Sequence, residues 1–534
     1  MAKENNLKDF LTDVADAIRE KEGSTGLINP QEFSAKIRAI ETGGGGESGG
    51  GGGGASAGAV NFRDYDGTIL HSFSKEEFLA LEALPELPTQ TGLICQGWNW
   101  TLEEAQVYVS ENGNLEVGSL YITDDGKTRL YISIAEKGRM KITLKLTQTI
   151  SGGITIDWGD GSSNATSGTN VTATHTYARV GDYIISLDVA DGCVMGFGGG
   201  SSSYSVMGAA NNTGQVYCNM LKKVELGKGI TTLSPYAFTC CMSMQTISIP
   251  DTIATIDYYA FNKCYSLRCI NIPYVTKTIG NYAFYYCYNL MALSFGANVK
   301  SVGTYICQNC YSLEVVTFPP QNTLIKDYSL DSCRSLKSVV VPKGVTSLGS
   351  NCLSQCPALK YVYLPDSVVT LNPYVFYGDM SLREVRMPKN LTYIGNYVFS
   401  NCSSLKSCIL PKGMTTIGQS MFGSCYSLST FSIPDDFVTI KNTWFSNCNS
   451  LATIVIPSGV TSIEANAFNN CYGMACYDFR KVSVVPTLAN SNAFSNIPSD
   501  TKIVVPDDLY DSWISASNWS TYASKIIKAS EYTD

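Results

Sequence analysis

The chain has 534 residues, 44% of them apolar and 16% charged, and a formal net charge of −8. That length accommodates several domains, and a mildly acidic chain without a basic run gives no footing for nucleic acid. No apolar stretch reaches the length of a membrane span, and the polar, amphipathic opening MAKENNLKDFLTDVADAIREKEG is not a secretory signal.

Residues 1–42 read as a short helical hairpin. Leu7, Phe10, Leu11, Val14 and Ile18 form one apolar stripe. Asn29 and Pro30 give a cap and first turn for a second helix that places Phe33, Ile37 and Ile40 on one side. A unit of about 40 residues barely supports its own core, so it is expected to dock on a partner or to oligomerise. The pattern A-D-A-I-R-E-K-x-G…I-N-P-x-x-F-x-x-x-I-R-x-I resembles the N-terminal segments of phage and prophage tail-associated proteins. That resemblance implies docking on other virion (tail or baseplate) proteins and a homo-oligomer, by analogy a trimer. Residues 43–58 are almost all glycine and read as a flexible tether.

Residues 59–115 predict a small β-module. Val60-Asn-Phe-Arg63 alternates as a strand, and the Y-D-G-T-I-L and G-W-N-W runs resemble the internalin B-repeat type, with a helical stretch from Leu102 to Tyr108 added. Residues 116–192 read as all-β. Ile154 to Gly161 (I-T-I-D-W-G-D-G), followed by His175-Thr-Tyr177 and Gly181-Asp-Tyr183, resembles the PKD-type immunoglobulin-like sandwich, which implies core places for Trp158 and Tyr183. Asp157 and Asp160 fit turn chemistry there, with a calcium-binding or catalytic role as the alternative. Residues 193–214, rich in Gly and Ser, read as a linker.

From residue 215 to 497 one period governs the chain. Cysteines recur every 23 residues from Cys218 to Cys471, with Asp379 at the one missing beat. A branched aliphatic column runs from Leu233 through Ile256 and Ile279 to Ile463. A bulky column follows five residues later, as at Phe238, Phe261 and Phe284, and proline recurs after each short strand. A fixed period of this length is the signature of a solenoid whose units share one core. Eleven such turns, stacked about 4.8 Å apart, span on the order of 50 Å. The cysteines read as small buried apolar residues rather than disulfides or metal ligands. Their total of 19 is odd, and Cys307 of the Cys307-x-x-Cys310 pair merely fills the bulky column. The recurring A-F-x-x-C-x-S-L-x-x-I-x-I-P pattern resembles the BspA-type leucine-rich repeats, which implies adhesion with varied ligands. Residues 498–534 break the period and read as a cap, with Trp513, Trp519, Tyr522, Ile526 and Ile527 covering the last turn. The predicted fold class is therefore mainly β and multi-domain, ending in a leucine-rich-repeat solenoid.

No nucleophile elbow, phosphate loop or zinc-binding helix motif occurs, and the two histidines, His71 and His175, stand apart. No enzyme activity, cofactor or metal is expected. Tyrosine, with 32 copies, is the conspicuous surface residue. One column holds Tyr236, Tyr259, Tyr282, Tyr305, Tyr328, Tyr374 and Tyr397. A second, after the cysteine, holds Tyr265, Tyr288, Tyr311, Tyr426 and Tyr472, with Arg334 at one turn. Rigid aromatic rings offer contact area at low entropy cost. Tyr265, Tyr285, Tyr286, Tyr288, Tyr311, Arg334, Tyr426 and Tyr472 are therefore the expected ligand face, for a bacterial surface glycan or protein. The order of hairpin, tether, β-modules and distal solenoid predicts a phage virion fibre that binds a host receptor, assembled in the host cytoplasm. The alternatives are a structural virion component (baseplate, collar or head fibre) and a bacterial surface adhesin.

Overall fold

The computed structural model describes residues 60–198, 204–209, 218–414 and 416–533. The hairpin and tether expected over 1–58 lie outside the described residues. The first strands are β1 (Val60–Arg63), β2 (Ile69–Phe73), β3 (Leu93–Trp98) and β4 (Leu115–Thr123), in the sheet order β2-β1-β4-β3. Helices α1 (Lys75–Leu79) and α2 (Leu102–Asn112) each start on a capping box, from Ser74 and Thr101. They close over Phe62, Phe78, Trp98 and Val109, which are buried. β4 carries the module past residue 115, into the stretch read as the following sandwich.

Next come β5 (Thr128–Ile134), β6 (Lys141–Gln148), β7 (Ile154–Asp157), β8 (Ser163–Ala165), β9 (Asn170–Thr176), β10 (Gly181–Val189) and β11 (Met195–Phe197). Strict alternation in β5 and β6 buries every second residue, including Leu130, Ile132, Ile142 and Leu144. β11 pairs with β6, and the short hairpin β12 (Tyr204–Ser205) and β13 (Gly208–Ala209) buries Val206 and Met207. Both lie in the stretch read as a linker, so its described parts are packed. Tyr183 is half-buried beside Tyr177.

β14 (Leu221–Glu225) joins the two architectures. It runs antiparallel to β5 and parallel to Thr246–Ser248 in the next turn. The sandwich sheet thus continues into the solenoid sheet and covers its first edge, which would otherwise template aggregation. From there each turn adds one strand to each of two parallel ladders. Cys269–Asn271, Ala292–Ser294 and Val315–Thr317 belong to one, Thr255–Ile256 and Thr278–Ile279 to the other. The second ladder extends one rung past Ile463, to Leu488 after 25 residues. At the far end Lys502–Val505 pairs with Ile526–Lys528, while Trp513 and Trp519 are buried against Phe479.

The interior columns have a polar logic. Phe261 O accepts the N–H of Cys264 in its own turn at 3.1 Å and the thiol of Cys287 in the next at 3.2 Å. The same thiol-to-carbonyl contact recurs from Cys264 to Cys471. Cysteine therefore supplies a buried donor that alanine or valine could not. All nineteen cysteines are free, and only Cys95 is not fully buried. Asp379 replaces the thiol with a buried carboxyl. Its Oδ1 accepts Cys356 N–H at 2.8 Å, while its Oδ2 meets no protein partner. Burial pushes this acid well above the usual carboxylate range.

Candidate functional site

The module of β1–β4 lies on the outward side of the longer-strand ladder. Asn99 Nδ2 donates to Ile272 O at 3.0 Å and Ser294 Oγ at 2.9 Å, Trp100 Nε1 to Phe295 O at 2.8 Å, and Tyr108 OH to Phe318 O at 2.8 Å. Gly118 makes the approach possible, because a Cβ there would stand 2.3 Å from Asn271 Cγ. Strands from Cys269 to Val340 are thereby covered. Beyond them the ladder is open at Tyr361, Tyr363 and Ile409, the last 84% exposed, with Arg386 stacked 4.6 Å over the Tyr363 ring. The period-two alternation of Tyr361-Val362-Tyr363 marks these outward residues in the sequence, although they stand outside both tyrosine columns.

The opposite side of each turn is built by a third set of inter-turn bonds. The N–H groups of Tyr236, Phe238 and Cys240 donate to the carbonyls of Tyr258, Ala260 and Asn262 one turn on, at 2.7–3.1 Å. Turning every second N–H to the same side requires left-handed backbone at the first and last of the three. Tyr236, Tyr259, Tyr282, Tyr305, Tyr328, Tyr374 and Tyr397 accordingly have φ of 54–62°. The fold imposes that conformation whatever the residue, and Asn351, Ser420, Thr443 and Asn466 adopt it elsewhere in the column. Asparagine tolerates it better than a bulky ring does.

The rings stack along the solenoid. Tyr236, Tyr259, Tyr282, Tyr305 and Tyr328 are successively 4.5–5.1 Å apart with interplanar angles of 2–13°. Tyr374 and Tyr397 form a second stack at 4.8 Å. Inside a stack each ring has both faces covered by its neighbours, so the edges and hydroxyls meet solvent. Desolvation holds the phenols of Tyr236, Tyr259 and Tyr374 above the usual tyrosine range, which keeps them neutral donors.

Six of the eight expected ligand residues come together beside this stack. Tyr265, Tyr288 and Tyr311 stack at 4.7 and 4.8 Å, and the Arg334 guanidinium lies 4.3 Å over the open face of Tyr311. Tyr286 meets Tyr288 edge-on at 5.7 Å, and Tyr285 links Tyr286 at 4.1 Å to Tyr282 at 5.4 Å. Both columns thus fuse into one aromatic surface. Tyr426 and Tyr472 lie in turns farther along, 47% and 59% exposed, and join no ring of that cluster. Tyr258 belongs to the surface as well, edge-on to Tyr236 at 5.4 Å. It lies one residue ahead of its column, a position the periodic reading passed over.

The sandwich loop resolves differently. Asp157 Oδ1 accepts the N–H of Gly159 at 2.9 Å, and Asp160 Oδ1 accepts that of Ser162 at 3.1 Å, which is turn chemistry. The Ser162 hydroxyl, and then His175 at 2.8 Å, hold the Asp160 carboxyl down to about 2. His175 stacks on the buried Trp158 at 4.8 Å. Among the described residues no cluster of three His, Cys, Asp or Glu side chains is placed to hold a metal ion. No described helix is long and apolar enough to cross a membrane.

Comparison with known proteins agrees with this geometry. The profile of the BspA type leucine rich repeat region matches residues 215–337, 260–379, 300–426 and 369–499, together more than half of the chain. No curated protein matches it. Among solved structures, a leucine-rich repeat protein from Bacteroides ovatus is similar, with 23% identity and a TM-score of 0.50 over 66% of this chain and 90% of its own. A leucine rich cell surface protein from Faecalibacterium prausnitzii shares 20% identity, with a TM-score of 0.39 over 60% of this chain and 93% of its own. The first of these places the repeats in the leucine-rich-repeat fold.

Proposed function

The chain belongs to the BspA-type leucine-rich repeat family, and from that membership we propose a non-enzymatic adhesion protein of a bacterial surface that binds its ligand on the tyrosine face. The observation that carries this reading is the fused aromatic surface of Tyr265, Tyr285, Tyr286, Tyr288, Tyr311 and Arg334. Such a surface combines neutral hydroxyl donors, rigid rings and one fixed cation, which suits recognition of a polar, uncharged or weakly acidic partner such as a surface glycan or protein. The virion fibre and the structural virion component draw on the hairpin and tether of residues 1–58, outside the described residues, ahead of the β-modules and solenoid, and family membership favours the adhesin. Docking or trimerisation through residues 1–42 belongs to the same proposal, and sedimentation of the chain with and without them tests it.

The adhesion test uses the full chain on beads presented to bacterial and epithelial cells. Replacing Tyr265, Tyr288 and Tyr311 together by alanine is expected to abolish bead attachment while the thermal unfolding profile stays cooperative. Attachment undiminished in that folded variant overturns the assignment of the face.

A further inference from the structure

The tyrosine ladder has one missing rung. Tyr328 ends the five-ring stack and Tyr374 begins the two-ring stack, and the residue between them in the column is Asn351. Tyr328 stacks on Tyr305 with one face, and Tyr374 stacks on Tyr397 with one face. Their other faces look toward the turn of Asn351. Two rungs at the spacing of the stack place these rings about 9 Å apart. One further ring centred between them would lie at the same centroid spacing from both as the tyrosines keep among themselves, within the range of favourable ring packing. Asn351 leaves that space to a visitor. Its Oδ1 is 3.4 Å from the hydroxyl of Ser354, a fully buried residue, so the carbonyl end of the amide is held toward the turn's interior. Among the described residues its Nδ2 has no hydrogen-bond partner.

We infer that the gap between Tyr328 and Tyr374 over Asn351 is a binding slot for a single pyranose ring of a surface glycan. The chemistry of the rim selects a sugar over an aromatic side chain. A pyranose offers C–H faces to both phenol rings and hydroxyls around its edge. The slot matches those hydroxyls with the Asn351 Nδ2 and with exposed Asp327, whose Oδ1 accepts Ser350 N–H at 2.7 Å beside it. Tyr377, edge-on to Tyr374 at 5.5 Å, walls one side. This is the only place where the ladder between Tyr236 and Tyr397 presents faces rather than edges to a ligand from within its run. The inference deepens the adhesion reading and rests on it.

Asn351→Tyr tests the slot by restoring the missing rung. Seven other turns already hold tyrosine at this backbone position, so the variant is expected to fold, as thermal unfolding will show. Ligand-observed saturation-transfer NMR on the full chain, with methyl glucoside, methyl galactoside, methyl N-acetylglucosaminide and p-cresol as probes, gives the readout. The expected result is saturation of C–H groups on both faces of at least one pyranoside, lost in Asn351→Tyr and kept in the Tyr265, Tyr288, Tyr311 alanine variant. Binding of no pyranoside, binding of p-cresol alone, or a pyranoside signal unchanged in Asn351→Tyr each overturns the slot. Loss of cell attachment in the triple variant together with any of these sinks the slot and leaves the adhesion face standing.

Discussion

Two columns of this solenoid keep the same 23-residue beat and obey different physics. The cysteine column is interior. From Cys264 to Cys471 the thiol of each turn donates to a carbonyl in the preceding turn, and the departure within that run, Asp379, leaves a buried oxygen without a partner. The tyrosine column is at the surface, and its backbone position is fixed by the inter-turn bonds rather than by the ring it carries. Asn351, Ser420, Thr443 and Asn466 serve the fold equally well there. A left-handed backbone costs a bulky residue about 1–2 kcal/mol, and a stacked aromatic pair returns about 0.5–1.5 kcal/mol. The two nearly cancel. Periodicity alone therefore does not separate structure from function, whereas asking what each column would lose on replacement does.

Perturbing residues of the two columns, and of the bulky column between them, should expose that contrast. The largest effect is expected inside. Phe284→Ala removes a fully buried ring stacked between Phe261 and the next turn and should cost about 3–5 kcal/mol in urea unfolding. Asp379→Cys should stabilise the chain at neutral pH by about 2 kcal/mol, since it replaces an orphaned buried acid with the donor used by the other turns. Its pH profile carries a sign. The folded pKa of Asp379 lies above its unfolded value, so stability is intact below about pH 4 and declines as pH rises toward the folded value. Asp379→Cys should remove that decline, and denaturation midpoints from pH 4 to 8 would show it. A smaller loss, about 1 kcal/mol, is expected for Cys287→Ala, which deletes the thiol held by Phe261 O. Tyr282→Asn should change stability least, by well under 1 kcal/mol, because relief of the left-handed strain offsets the lost stacking. A cost for Tyr282→Asn comparable to that of Phe284→Ala would make the tyrosine column structural.

Much of this was legible in the sequence. The branched, bulky and cysteine columns announced the solenoid because every turn repeats the same burial, and the tyrosine columns were visible by the same count. The docking of the β1–β4 module was not legible. It depends on Asn99, Trp100 and Gly118 meeting strands roughly 150–200 residues away, and single long-range contacts leave no period. The stretch around Met195–Phe197 was hidden for a different reason. Its Gly and Ser neighbours resemble a linker in composition, yet pairing with β6 and burial of Phe197 order it. Nor does a column of tyrosines disclose ring orientation. That the faces are taken up by stacking, and within the run from Tyr236 to Tyr397 turn outward again beside Asn351, required three-dimensional placement.

The most direct test of the central claim replaces the five stacked rings Tyr236, Tyr259, Tyr282, Tyr305 and Tyr328 with asparagine and measures thermal unfolding and cell attachment on the same preparation. The account predicts an unfolding midpoint within a few degrees of the parent chain together with lost attachment. A variant that unfolds, or one that stays folded and attaches as well as the parent, would contradict it.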